Sequence, residues 1–181
     1  MEIDCKSGIR LRSLRPDDAE SLLAALDADR ATFDHWLRWS SAIVSRDAAR
    51  DFIARCTARE VAHQGFHLAL WRGRTLLGGV PCWSHDPVHH VAELGYWLAP
   101  TARGQGLAAQ ATRTVAEHLF ASGVNRVEFQ CRTENDASRR VAERIGGQFE
   151  GIRRGSHWVG GAFRDHAVYA ILAADPRPAP V

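Results

Sequence analysis

Between a strand-like apolar stretch and a helix-like one, the chain reads Pro100-Thr101-Ala102-Arg103-Gly104-Gln105-Gly106-Leu107-Ala108. A glycine-bearing turn of this kind can aim several backbone N–H groups at one point. The helix that follows adds a partial positive charge, and together these suit a phosphate or pyrophosphate. Glycine is needed where a Cβ would obstruct the ligand's approach to the backbone. The same residues also make a plain helix-entry turn, so taken alone they leave both uses open. Competing chemistry is hard to find. No Ser/His/Asp order and no H-E-x-x-H motif marks another catalytic centre. Cys5, Cys56, Cys82 and Cys131 are far apart with no C-x-x-C pair, so reduced thiols acting as small hydrophobes are expected. Adjacent His89 and His90 would point to opposite faces of a strand, and no metal site is expected.

The elements that must position this turn can be read from periodicity. Ile9 to Leu14 alternates as a strand, and Pro16-Asp17-Asp18 opens a helix carrying Leu22, Leu23 and Leu26. The aromatic stretch Phe33 to Trp39 fits neither period. Ser45-Arg46-Asp47 precedes a second helix with Ala49, Phe52, Ile53 and Cys56 on one face. Phe66 to Trp71, the turn Arg72-Gly73-Arg74, and Thr75 to Trp83 form a hairpin signature. His90 to Leu98 reads as one strand stopped by Pro100. Leu107, Ala111, Val115 and Leu119 form the buried stripe of a long helix ended by Gly123. A strand over Val127 to Cys131 follows, then a capping region at Thr133 to Asp136. That region opens a helix through Val141 and Ile145, which closes at Gly146-Gly147. Two strands, Gln148 to Gly155 and Arg164 to Leu172, are joined by Ser156 to Phe163. The expected fold class is a single α+β domain over 1–174 with a mixed sheet, and a disordered proline-rich tail over 175–181.

Composition narrows the function classes. With 181 residues, one domain is expected. Twenty-three basic against 21 acidic side chains leave a net charge of +2, too small to drive binding to nucleic acid or an anionic membrane. The longest apolar run, Ala167 to Ala174, falls short of the ~18 residues of a membrane span. The first residues, rich in acids and bases, lack a signal peptide's apolar core, and a cytoplasmic protein is expected.

In combination the motifs say more. Arg103-Gly104-Gln105-Gly106-Leu107-Ala108 resembles the cofactor motif Q/R-x-x-G-x-G/A of the GNAT superfamily of CoA-dependent N-acyltransferases. The likeness extends upstream over Glu93 to Pro100 and downstream through Asn135-Asp136-Ala137-Ser138 and Arg144-Ile145-Gly146. The E-x-G-Y-W-L-x-P and N-x-x-S pair is most similar to the RimJ/RimL branch, whose namesakes acetylate N-termini of ribosomal proteins. The resemblance spans Ile9 to Leu172 and implies a central mixed, twisted sheet flanked by helices.

It also implies site residues. The pyrophosphate of acetyl-CoA would rest on the N–H groups of Arg103, Gly104, Gln105, Gly106, Leu107 and Ala108. The pantetheine arm would run beside the strand ending at Leu98 like an added strand. A backbone N–H near Leu98 would hold the oxyanion. Asn135 would hydrogen-bond the arm; as a helix cap it has an equal second reading. Glu93 stands where many such enzymes place their base, with a surface glutamate as the alternative. The tyrosine that many members use to protonate the thiolate is Ala142 here. RimL-like chains carry instead a serine, here Ser138, which would stabilise the thiolate or serve only as a helix-surface or capping residue. Gly147 stands where phenylalanine is usual. His35, Trp36 and Trp39, with His157, Trp158 and Phe163, could wall an acceptor cleft, though tryptophans are more often core than ligand contacts.

The expected activity is direct transfer from acetyl-CoA to a primary amine, foremost a protein or peptide N-terminus. An α-amine of pKa about 8 costs roughly 1 kcal/mol to deprotonate at pH 7, whereas a lysine costs more than about 4 kcal/mol. The expected partners are acetyl-CoA and the acceptor, and a homodimer, with no metal, nucleic acid or membrane. A small-molecule amine such as an antibiotic or polyamine, another donor such as succinyl-CoA, and a CoA-binding regulatory module without turnover remain alternatives.

Overall fold

The computed structural model describes residues 1–5 and 8–179. In chain order the elements are β1 (Glu2–Cys5), β2 (Ile9–Ser13), α1 (Ala19–Asp27), α2 (Arg30–Trp36), α3 (Arg46–Val61), β3 (Phe66–Arg72), β4 (Thr75–Asp86), β5 (Val91–Leu94), β6 (Trp97–Leu98), α4 (Leu107–Ala121), β7 (Arg126–Arg132), α5 (Asp136–Arg144), β8 (Gln148–Val159) and β9 (Ala162–Leu172). The sheet order is β1-β2-β3-β4-β5-β7-β9-β8, with β6 paired to β4. Every pair is antiparallel except β5 with β7. The α+β mixed sheet is the one expected from the sequence.

Local signals explain most of the elements. Pro16 heads a single 3-10 turn leading into α1, where Asp18 accepts from the Arg15 N–H at 2.7 Å and from Arg12 at 2.6 and 2.8 Å. Ser45 caps α3 by accepting from the Ala48 N–H at 3.1 Å. The α4 stripe buries Leu107, Ala111, Val115 and Leu119 against one sheet face, with Leu68, Leu94, Val127, Phe129 and Tyr169. The other face is covered by α1, α2 and α3 through Leu22, Leu26, Phe33 and Ile53. The stretch that fitted neither period is α2, whose Phe33 packs edge-on against Trp97 with centroids 5.7 Å apart.

Four expectations need correction. The strand read over His90 to Leu98 is two pieces. β5 pairs with β7 only as far as Leu94 opposite Phe129, after which β6 stays with β4 while β7 keeps its pairing with β9. His89 and His90 lie in the turn before β5, with His90 at φ 54°, and not on opposite faces of a strand. Ser156 to Phe163 is no loop, because β8 and β9 continue to a tight turn at Gly160-Gly161. The expected tail disorder is not seen over 175–179. Arg177 bonds Glu117 at 2.7 Å and lies over Phe120, and Arg113 donates to the Pro178 carbonyl at 2.8 Å. The last two residues of the tail, 180 and 181, lie outside the described residues.

Candidate active site

The divergence of β5–β6 from β7 opens a cleft of about 1100 Å³. One wall is Glu93 to Leu98. The Gly95 N–H bonds the Pro81 carbonyl and the Ala99 N–H the Leu77 carbonyl, both at 2.9 Å and both toward β4. Strand alternation therefore turns the N–H groups of Tyr96 and Leu98 into the gap, where an extended ligand can pair with them. Glycine at 95 lets the Trp83 indole pack close, since an added Cβ would sit 2.6 Å from its Nε1.

At one end of the gap lies the glycine turn. Gly104 and Gly106 have φ of 75° and 74°, and Gly106 is the N-cap of α4. An added Cβ on Gly104 would meet no atom within 4 Å, so the turn faces open space. The first N–H groups of α4 have no acceptor within the helix. Gly104, Gly106, Leu107 and Ala108 line the cleft together with Leu98 and Arg103. The Arg103 side chain points away from the turn, pairing with Asp29 at 2.5 Å and donating to the Leu98 carbonyl at 3.2 Å. Gln105 folds back to the Thr101 carbonyl at 2.7 Å and is not part of the lining.

On the opposite wall, Asn135 and Ser138 begin α5. The Asn135 side chain accepts from the Ser138 N–H at 3.0 Å, so its capping reading is realised. The Ser138 carbonyl accepts from the Tyr96 hydroxyl. These contacts fix the Ser138 backbone at both ends, and Ser138 lines the cleft. Burial pushes the Tyr96 phenol well above its ordinary range. Ala142 is buried, and an added Cβ on Gly147 would lie 2.7 Å from the Ala142 carbonyl, which explains glycine there.

Glu93 lines the cleft half-buried, and Gln130 Nε2 donates to it at 3.3 Å. Gln130 is in turn held by Arg153 at 3.0 Å. Burial first, and then Glu128 in register across β7, push the Glu93 carboxyl above the ordinary carboxylate range, with Arg153 opposing. A carboxyl raised in this direction is closer in pKa to an amine than an exposed one is.

Trp36 and Trp39 also line the cleft. Trp39 stacks on Phe52 at 4.9 Å and meets Trp97 edge-on, so it is both core and wall. Trp158 is 57% exposed, packs on Phe163, and lies outside the cleft, as Phe163 does. A register shift in β8 before His157 sets the phase, and His157 faces the cleft in its place. His35 lies outside the lining, where its carbonyl accepts from Arg132 at 2.8 Å and its ring meets Trp36 edge-on at 4.5 Å. Gln130, Arg132, Tyr96 and His166 line the cleft without having been singled out from sequence. The alternation of Glu128, Gln130 and Arg132 on one face of β7 was the available signal.

The four cysteines carry no disulfide, and burial raises the thiols of Cys56 and Cys131 to about 11 and that of Cys82 to about 12. A protonated thiol is a poor nucleophile, which disfavours an acyl-enzyme route. Among the described residues, no helix is long and apolar enough to cross a membrane.

A mixed sheet splayed beside a glycine turn and a helix N-terminus, with a carboxylate at the other end of the gap, defines an acyl-CoA-dependent N-acyltransferase. Residues 9–148 match the family model described as an acetyltransferase (GNAT) domain, and the chain belongs to the GNAT acetyltransferase family. Its sequence is 31% identical over 166 residues to the protein named "Putative ribosomal N-acetyltransferase YdaF" of Bacillus subtilis, covering 91% of each chain. It is 23% identical over 171 residues to the ribosomal-protein-serine acetyltransferase of Escherichia coli, covering 94% of this chain and 96% of that one. The fold matches RimL, the ribosomal L7/L12 alpha-N-protein acetyltransferase, in complex with coenzyme A, with a TM-score of 0.91 and 22% identity over 97% of this chain and 100% of that one.

Proposed function

We propose that this acetyltransferase moves the acetyl group of acetyl-CoA to the N-terminal α-amine of a protein or peptide, by direct attack in a ternary complex. The observation that carries the reading is the gap between β6 and β7, with the Gly104–Gly106 turn at one end and Glu93 at the other. The cleft fits the cofactor. Its open glycine turn and unpaired helix N–H groups suit a pyrophosphate, and the N–H groups of Tyr96 and Leu98 suit an extended arm. When bound, acetyl-CoA supplies an activated thioester carbonyl.

The residues of the chain supply the rest. The amine must be neutral to attack, and Glu93 takes its proton. A carbon–nitrogen bond forms first, and the carbon–sulfur bond breaks as the resulting adduct collapses. The Leu98 N–H stabilises the oxyanion between these events. The Ser138 hydroxyl donates a hydrogen bond to the departing sulfur, which leaves as free thiol by taking the second proton shed by the nitrogen, while the first passes from Glu93 to solvent. The relatives named for ribosomal-protein acetylation support a protein acceptor, and the low deprotonation cost of an α-amine supports a terminal one. With no large positive patch implied by a charge of +2, the reading is of a cytoplasmic enzyme without a nucleic-acid partner.

The test is calorimetry with acetyl-CoA, followed by thiol release on a panel of N-terminal peptides, free lysine, polyamines and aminoglycosides. Binding with turnover only on peptides supports the proposal. Turnover confined to small amines overturns the acceptor assignment, and binding without turnover on any amine favours a regulatory module.

A further inference from the structure

Five arginines line the cleft, and one of them, Arg103, is already paired with Asp29. Arg38, Arg103, Arg132, Arg140 and Arg144 line it, against the single carboxylate of Glu93. Arg103 adjoins the glycine turn, and Arg140 and Arg144 stand on α5. Arg38 and Arg132 belong to the other half. The Arg132 guanidinium lies 4.1 Å over the Trp36 ring and donates to the His35 carbonyl at 2.8 Å. On the sheet Arg132 stands in register with His166, while Arg38 is near enough to His157 to oppose its protonation.

Arg132 is only 7% exposed, and its Nε has no hydrogen-bond acceptor among the described residues. The nearest carboxylate, Glu134, is 3.6 Å away on an exposed side chain, too far for a hydrogen bond. This ion pair to an exposed carboxylate leaves the buried guanidinium only partly compensated, and an anion reaching its Nη side from the cleft would add to that pairing. Position says which anion. Gln130, which touches Glu93, is two residues before Arg132 on β7, so the two share a face and stand roughly 7 Å apart. The carboxylate of a free α-amino acid is too close to its own amine to reach both points. One residue of extended chain plus the side chain of the next spans a distance of about this size.

We infer that the acceptor is a peptide whose second residue is acidic, with its terminal nitrogen at Glu93 and its second-residue carboxylate on Arg132, and with Arg38 attracting it at longer range. The inference rests on the amine-acetylation reading above and names the acceptor class within it.

The experiment measures kcat/KM by thiol release for two peptides that differ only in Asp or Asn at the second position. The wild-type enzyme is expected to prefer Asp by at least about tenfold, the scale of one charge-assisted hydrogen bond. Arg38→Gln, at an exposed position, should shrink that ratio, as should raised salt. Arg132→Lys, checked for a normal melting curve and acetyl-CoA affinity, should lower it without abolishing it, because lysine keeps the charge but loses the forked donors. Should Arg132→Lys fail to fold, Arg38→Gln and the salt series decide. Equal kcat/KM on the two peptides overturns the inference while leaving amine acetylation standing. So does a preference for Asp that neither Arg38→Gln nor salt alters, or a stronger preference for a phosphoserine peptide. No turnover of either peptide or of any other primary amine overturns both readings.

Discussion

The Tyr96 hydroxyl donates to the backbone carbonyl of Ser138, 42 residues further along the chain. This bond ties the break between β5 and β6 to the first turn of α5 and sets the width of the cleft between them. Asn135 holds the other side of Ser138 through its N–H. Tyr96→Phe keeps the ring but leaves that carbonyl without its partner. The expected outcome is a loss of about 1–3 kcal/mol in urea denaturation, with kcat reduced about tenfold as Ser138 loosens. Unchanged stability and kcat would show that the bond holds nothing in place.

Glu93 yields a paired expectation for stability and turnover. Its folded pKa lies above the ordinary value, mainly through burial, so the native state binds the proton more tightly than the unfolded chain. Stability therefore falls as pH rises from the ordinary carboxyl range through the raised folded value, and the penalty is constant above it. Glu93→Gln should melt higher than wild type at pH 7, with the difference fading below the ordinary carboxyl range, while acetyl transfer drops by about 100-fold or more. Thermal melts across pH, together with initial rates, check both halves. A variant that is no more stable and fully active would remove Glu93 from the mechanism.

Gly104→Ala separates strain from binding. Its Cβ would clash with nothing, so only the left-handed φ of 75° penalises it, by roughly 1 kcal/mol. The methyl group would nevertheless stand on the open side of the turn. A near-normal melting temperature with an acetyl-CoA Kd raised at least about tenfold is expected from calorimetry. An unaltered Kd would place the phosphates elsewhere.

His67 makes the fold sensitive to acid. It is buried and accepts the Trp97 indole N–H at Nε2, 3.1 Å away, and burial lowers its pKa to about 4. A histidine depressed in the folded state is protonated first in the unfolded chain, so stability is complete above its ordinary pKa and is lost as pH falls from about 6.5 toward 4. The loss is on the order of 3 kcal/mol for this one group. Denaturant titrations at several pH values should show that slope in wild type and a flatter one in His67→Gln, which can keep the acceptor.

The sequence placed the glycine turn, the α4 stripe and the Ser45 cap because each depends on residues a few positions apart. Glu93, Ser138 and the cleft-lining Trp36 and Trp39 came from motif order joined to those local signals. Gln130 and Arg132 were not singled out, because what matters about them is where β7 lies. The parallel pairing of β5 with β7 joins segments separated by a whole helix, and no local period records it. Trp158 shows the same limit from the other side, since a register shift in β8 turned His157 inward and left its neighbour in solvent.

By itself, then, the order of residues determined most of the elements, the turn geometry that only glycine permits, and the class of chemistry. The tertiary structure alone decided where β7 parts from β6, which side of each strand meets the gap, and that Arg132 is buried with a donor unmet. The physical reason is range. Backbone conformation and caps are set by near neighbours, whereas desolvation and charge at the site depend on chain segments that meet only once the sheet has formed.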